Sequence, residues 1–509
     1  MKQWMVGGVG LAWMCCGVAA EKPNLVIIHT DEHHFKTLGC YRELMAKDVA
    51  FVWGAGVALQ TPNIDSLAKA GVLCDRFYTA SPVCTPSRAS FFTGRYPQNT
   101  GAPNNDLPML DDMVTFAEVL RKNGYKTGYA GKWHLDGPSK PGWSPARHFG
   151  FEDNTYMFNR GHWKKLQDTP KGPEVAAKNE KGKESYAGDG VDEKSFTTDF
   201  LADKAVAFIQ KNKGNPFCYV VSLPDPHGPN TVRKPYSDMY ASLKFQKPKY
   251  SSGEGSAENP FDVPPSQAKM EKMDEYFGMV KCIDDNVGKI IQSLKAAGVY
   301  ENTIFVFTSD HGDMCGEHGA VNKGIPLEGS AKIPFILSWP AKVPGGKALH
   351  EALNTTDFKP TILALMGMPL DAKDEGRDAS VLFRTGAAPD TWKDVTFSRH
   401  AGGGWLMAVT RRYKFIVTPE TPCLYDLQKD PMETTNLALQ KEQRETVRTM
   451  AKELAGYIER TKEPHGEIPA LRIVLNWALS DAPVFVAPAQ DGAKGKKKKA
   501  KAQEKEKEE

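Results

Sequence analysis

Three apolar runs constrain the fold of this 509-residue chain more than any other feature in it: Pro23–Ile28, Pro216–Leu223 and Asn302–Ser309. Each carries apolar side chains at successive positions, so a strand made of it must be covered on both faces. That is the condition of a mostly parallel sheet lying between helices. Each run stops at polar residues: His29-Thr-Asp31-Glu32-His33-His34, Pro224-Asp-Pro-His227 and Asp310-His311-Gly-Asp313. Open α/β sheets place ligands outside the carboxyl ends of their strands. Helical patterns over Thr61–Gly71, Met113–Asn123, Thr197–Lys213 and Ala268–Ala297 alternate with the runs, and Gly stops follow three of them.

A fourth stretch, Ser81-Pro-Val-Cys84-Thr-Pro86-Ser87-Arg88, precedes a helix-like run ending Gly94-Arg95. Pro86 and Ser87 suit a first helical turn. Cys84 then sits just ahead of a helix N-terminus, with backbone N–H groups and Arg88 aimed at the same point, an anion-binding arrangement with a sulfur at its mouth. In the strand pattern Tyr125–Leu135, Lys132 and His134 are two apart, so an extended backbone points both to one face. His227 is held rigidly between prolines. The carboxylates are hard ligands and favour Ca²⁺ or Mg²⁺ over zinc. His33 and His34 read as substrate-side or exposed, and residues 150–195, with Tyr156, Phe158 and Trp163, as an irregular loop over one edge of the site that carries specificity.

Cys84-Thr-Pro-Ser-Arg88, Gly131-Lys-Trp-His134 and Ser309-Asp-His-Gly312, in that order, resemble the signature of the type I, formylglycine-dependent sulfatases of the alkaline-phosphatase-like superfamily. Matching elements run from Asp31 to Asn436. The resemblance implies an α/β sandwich with a large mixed, mostly parallel sheet between helices, plus a smaller C-terminal antiparallel sheet with a helix. It implies a secreted sulfuric ester hydrolase that removes sulfate from a sulfated carbohydrate. Cys84 would be converted to formylglycine by a formylglycine-generating or anaerobic sulfatase-maturing enzyme, and its hydrate would be the nucleophile. Asp31, Glu32, Asp310, His311 and position 84 would hold Ca²⁺, with Mg²⁺ or Mn²⁺ as alternatives. Glu32 stands where an Asp is usual, and its longer stem moves the oxygens outward. The Asp310-His311 pair resembles the iduronate-sulfatase, choline-sulfatase and phosphonate-monoester-hydrolase branches. Arg88, Lys132 and Lys323 would surround the sulfuryl oxygens. His227, with Lys323, would protonate the leaving oxygen, Asp310 would act as base in the attack, and His134 would deprotonate the second hydroxyl. The rival readings are a phosphonate or phosphate ester hydrolase on the same scaffold and an inactive polyanion-binding homologue.

Charge excludes one further class. The net charge is +3, and the tail Asp491–Glu509, eight lysines against five acids, carries all of it. No general basic field points to nucleic acid. Residues 1–20 read as a signal peptide ending Val18-Ala19-Ala20, with an apolar run short of the ~20 residues of a membrane span. The mature chain is therefore expected to be periplasmic or extracellular, without a membrane or lipid anchor. Of nine cysteines, seven follow that segment, too widely spaced for a small disulfide scaffold, and their pairing is open. The expected organisation is a catalytic domain over 21–390, a C-terminal subdomain over 391–475, and an extended segment with a disordered charged tail over 476–509. The subdomain contains short strands at Val395–Arg399, Gly404–Thr410, Arg412–Val417 and Cys423–Asp426 and a helix over Gln440–Thr461.

Overall fold

The computed structural model describes residues 22–249, 259–270 and 272–486. The expected signal peptide and the charged tail beyond 486 lie outside the described residues. Eight strands form the main sheet: β1 (Asn24–Asp31), β2 (Gly71–Cys74), β3 (Lys126–Lys132), β4 (Asp153–Phe158), β5 (Phe217–Pro226), β6 (Thr303–Ser309), β7 (Phe335–Ser338) and β8 (Lys347–Leu349). Their order is β8-β2-β7-β6-β1-β5-β3-β4. All pairings are parallel except those of β7, which runs against both β6 and β2.

The three apolar runs are the central strands β1, β5 and β6, and period-two alternation divides their side chains between two cores. Val26 and Ile28 join one core with α1 (Pro62–Lys69), α4 (Thr197–Asn212) and α5 (Met273–Ala296). Leu25 and Ile27 join the other with α2 (Cys84–Thr93), α3 (Phe116–Lys122) and α6 (Phe358–Leu365). Helix α2 is buried over all ten residues and ends at Gly94, whose φ of 70° closes it. The stretch 150–195 is more ordered than a loop. Its β4 extends the sheet edge beside β3, and Leu166–Thr169 pairs with Gly172–Val175 as a hairpin.

The second sheet is a meander of β9 (Thr396–Arg399), β10 (Leu406–Val409), β11 (Tyr413–Val417) and β12 (Pro422–Asp426). One face packs on α7 (Arg444–Thr461) and α8 (Pro469–Leu479), and the other meets Tyr78, Met314 and Leu327 of the main body. Sequence reading missed α8. The helix crosses the expected boundary at 475 because Leu471, Val474 and Trp477 bury against that core, so the chain is not extended there.

Candidate active site

Parallel pairing brings four strand ends together. Thr30 pairs with Ser309 and Gly131 with Ser222, so Asp31, Lys132, His227 and Asp310 emerge on one edge of the sheet. Gly131 is required there, since its φ is +108° and a Cβ would lie 1.8 Å from the Ser222 carbonyl oxygen. Helix α2 abuts this edge with Cys84 as its first residue, and Ser87 Oγ donates to the Asp310 carbonyl.

Cys84 Sγ lies 3.2 Å from His311 Nε2, 3.6 Å from Lys132 Nζ and 3.8 Å from Asp31 Oδ1. Burial and Asp31 oppose a charge on the thiol, but Lys132, Lys323 and His311 outweigh them and hold it well below the usual thiol range. The pocket thus favours an anion at position 84. Asp31, Cys84, Asp310 and His311, all buried, bring one ligand atom each to within 4.8 Å of one another. His311 Nδ1 donates to the Gly312 carbonyl at 3.0 Å, which leaves Nε2 as the nitrogen that faces the cluster, where a cation would take the place of its proton. Burial opposes protonation of His311, yet Asp310 and Cys84 raise it to about 9.

Arg88 is placed differently from the expectation that it faces the anion. It is fully buried. Its Nε donates to Asp310 Oδ2 at 2.9 Å, its Nη2 to Asp31 Oδ2 at 3.3 Å, and its Nη1 to Lys132 O and Ser222 Oγ at 2.8 Å each. Enclosed by acceptors, it fixes the two carboxylates. Lys132 instead faces the pocket, 2.5 Å from Asp31 Oδ2 and 2.8 Å from His162 Nε2.

Glu32 is not in the cation cluster. With φ of 63° and its longer stem, it turns Oε2 to Lys323 Nζ at 3.1 Å and His227 Nε2 at 3.0 Å. Burial opposes its charge, but His227 and Lys323 hold it well below the carboxylate range. Lys323 Nζ is also 2.6 Å from His227 Nε2, and His227 Nδ1 donates to the Gly228 carbonyl. Lys323, His227 and Glu32 therefore form one proton-holding cluster. Burial lowers the Lys323 tendency to charge, while Glu32 and Cys84 more than restore it and raise its pKa.

Lys132 and His134 do not share a face. Strand β3 ends at Lys132, and His134 follows with φ of 61°. Its Nε2 meets Asp106 Oδ1 at 2.7 Å, and its buried Nδ1 has no partner. His33 and His34 are fully buried rather than exposed, bonded through Nε2 to Thr37 Oγ1 and Glu317 Oε1. All seven cysteines among the described residues are buried thiols.

Sequence reading missed two residues. His162, just beyond β4, stacks on His227 with ring centroids 3.5 Å apart and accepts from Lys132. Burial, then His227 and Lys132, hold it well below the imidazole range, so it is neutral. The signal was a His in a Gly-His-Trp turn within a stretch read only for its aromatics. Asp106, in an exposed loop, carried no signal at all.

Comparisons with known proteins show the family. A family model described as Sulfatase matches residues 23–368, and one described as N-sulphoglucosamine sulphohydrolase, C-terminal, matches residues 316–460. The ulvan-active sulfatase of Formosa agariphila is 30% identical over 437 residues, covering 82% of this chain and 77% of that protein. The choline-sulfatase of Rhizobium meliloti is 28% identical over 464 residues, covering 82% of each. A structure solved in complex with its substrate D-glucosamine-2-N,6-O-disulfate superposes with a TM-score of 0.69 at 20% identity, covering 88% of this chain and 100% of that one. It speaks for the fold.

Proposed function

Because this chain belongs to the sulfatase family and is a sulfuric ester hydrolase, we propose that it removes sulfate from a sulfated carbohydrate outside the cytoplasm, with formylglycine made from Cys84 and a bound divalent cation. What carries the reading is the crowding of Lys132, His311 and Asp31 within 4 Å of one buried sulfur. A relative named for ulvan supports a carbohydrate substrate. The maturation partner is a formylglycine-generating or anaerobic sulfatase-maturing enzyme. The mature chain is periplasmic or extracellular, and no helix among the described residues is long and apolar enough to cross a membrane.

The residues fit both groups. Two buried carboxylates with one imidazole whose Nε2 faces them suit a hard cation, and we assign Ca²⁺, with Mg²⁺ or Mn²⁺ as alternatives. Asp31, Asp310, His311 and position 84 would hold it, and such an ion polarises oxygens and neutralises charge. An aldehyde hydrate at position 84 supplies two hydroxyls on one carbon, one for attack on sulfur and one for release of sulfate. The chain's own residues do the rest. Lys132 and Lys323 give fixed positive charge for the sulfuryl oxygens. The Lys323–His227 pair holds a proton between Nζ and Nε2 for the leaving oxygen. Arg88 bridges Asp31 and Asp310 and keeps them oriented. His134 accepts a proton at its unpartnered Nδ1. Burial of Asp31, Cys84, Lys132 and Asp310 excludes bulk water.

Mass spectrometry of the Cys84 peptide tests the assignment. Conversion of thiol to aldehyde makes the peptide about 18 Da lighter, whereas an unmodified thiol after co-expression with a maturation enzyme refutes it. Relative kcat/KM on sulfate and phosphonate esters separates the sulfatase from a phosphonate hydrolase, and a panel of sulfated saccharides identifies the linkage.

A further inference from the structure

We propose that Asp106 is a positioning residue for His134, that it holds the ring with Nε2 protonated and Nδ1 free, and that Arg160 enforces this choice. The proposal deepens the reading above, in which His134 accepts a proton.

His134 Nε2 lies 2.7 Å from Asp106 Oδ1. A carboxylate only accepts, so Nε2 carries the hydrogen and a neutral ring keeps its lone pair on Nδ1. That Nδ1 is buried and has no partner. An orphaned buried acceptor is costly unless something else is to meet it. The pair is tied to the nucleophile position through Thr85, the residue after Cys84. Its hydroxyl donates to the His134 carbonyl at 3.0 Å and accepts from the Asp106 N–H at 3.3 Å, and its N–H donates to Asn105 Oδ1 at 3.1 Å. Asp106 and His134 both sit in the left-handed region, with φ of 64° and 61°. Such backbone persists in non-glycine residues only where the surroundings enforce it.

Arg160, just beyond β4, places Nη2 2.8 Å from Asp106 Oδ2. Each carboxylate oxygen therefore has its own donor. This makes Asp106→Asn unusually informative. An amide has one acceptor oxygen, and arginine can only donate. Arg160 claims that oxygen, so the NH₂ faces His134 Nε2. The ring must then accept at Nε2 and carry its hydrogen on Nδ1, the atom needed as acceptor. Replacing Arg160 as well frees the amide to turn its oxygen back to His134.

The test combines ring ¹⁵N NMR of histidine-labelled protein, with His134 assigned by a His134→Asn variant, and steady-state desulfation of the saccharide that the panel identifies. The native ring is expected as the Nε2–H tautomer. In D106N it is expected as Nδ1–H, with kcat down about 100-fold and KM within a factor of three, in line with proton-transfer catalysis. In D106N/R160M the Nε2–H form and at least a tenfold share of kcat are expected to return. A native Nδ1–H tautomer overturns the proposal, as does an unchanged kcat in D106N, or a double variant whose tautomer is restored with no gain over D106N. The native tautomer can be read on unmodified protein and does not depend on D106N folding. A Cys84 peptide without conversion would sink the formylglycine reading, while the tautomers still decide the placement of Asp106.

Discussion

Arg88→Met isolates what holds together the two carboxylates proposed to bind the cation. In the native site the guanidinium bridges Asp310 and Asp31 with no exposure to water. The methionine keeps the bulk and removes the charge. Asp31 retains Lys132 at 2.5 Å, but Asp310 Oδ2 loses its donor, while Oδ1 keeps the N–H groups of Glu32 at 3.2 Å and His311 at 2.8 Å and the His311 ring at 3.6 Å. Removing one partner of a buried ion pair costs about 3–5 kcal/mol. An unfolding entropy of about 2.1 cal/mol/K per residue makes about 1 kcal/mol per °C for a chain this long, so the melting point in chelator is expected to fall by about 3–5 °C. A divalent cation would supply positive charge at the same place and offset part of that loss. The variant is therefore expected to gain more melting temperature from millimolar Ca²⁺ than the native protein does. Differential scanning fluorimetry with EDTA and with a Ca²⁺ series measures both quantities. A variant within 1 °C of native in chelator, or with no larger Ca²⁺ response, refutes the bridging role.

Four further outcomes are expected. Cys84→Ala abolishes turnover, and residual activity above about a thousandth of native counts against the nucleophile assignment. Glu32→Gln lowers kcat about tenfold by loosening the Lys323–His227 pair, while metal content by plasma mass spectrometry stays unchanged; loss of the metal would return Glu32 to the ligand set. Gly131→Ala lowers stability by about 2 kcal/mol or more and displaces Lys132, read by melting and by desulfation rate. On acidification, His33 and His465 are held down to about 3 in the fold, chiefly by burial, against 6.5 in the unfolded chain. Between pH 6.5 and 3 the unfolded state takes up protons that the fold refuses, so stability falls, by up to about 1.4 kcal/mol per pH unit for each ring. His465→Gln is expected to shallow that slope, and a melting series with unchanged slope refutes the assignment.

The central strands and the strand-end residues were legible because their signals are local. An apolar run that stops at Asp31 or Asp310 announces both a covered strand and polar side chains gathered at its carboxyl end. The second sheet was legible for the same reason, its four strands lying within a residue or two of where alternation puts them. Pairings made by tertiary packing left no such trace. Arg88 follows Cys84 by four positions, yet what it touches is set by β1 and β6, strands far away in the chain. Lys132 and His134 part company because the backbone turns left-handed after β3, which side-chain spacing does not encode. His162 reaches the site only because β4 adds to the sheet edge. Glu32 was suspect from its length alone, but its turn toward Lys323 depends on a φ of 63°.

The central position of β1 sets a timetable for biosynthesis. It is the first of the described strands to be made, and its neighbours β5 and β6 come some two hundred and more residues later, ending at Pro226 and Ser309. Non-local pairing of this kind is slow, and leaves apolar strand edges bare while the chain emerges. The seat of helix α2 is equally late, since Ser87 and Arg88 both bond to Asp310. Once it is filled, Cys84 is only 2% exposed. If Cys84 is converted to formylglycine as proposed, its maturation enzyme must work before the last central strand docks. Folding speed and modification speed are in competition, and variants that hasten closure of the sheet should emerge with a larger share of unconverted Cys84.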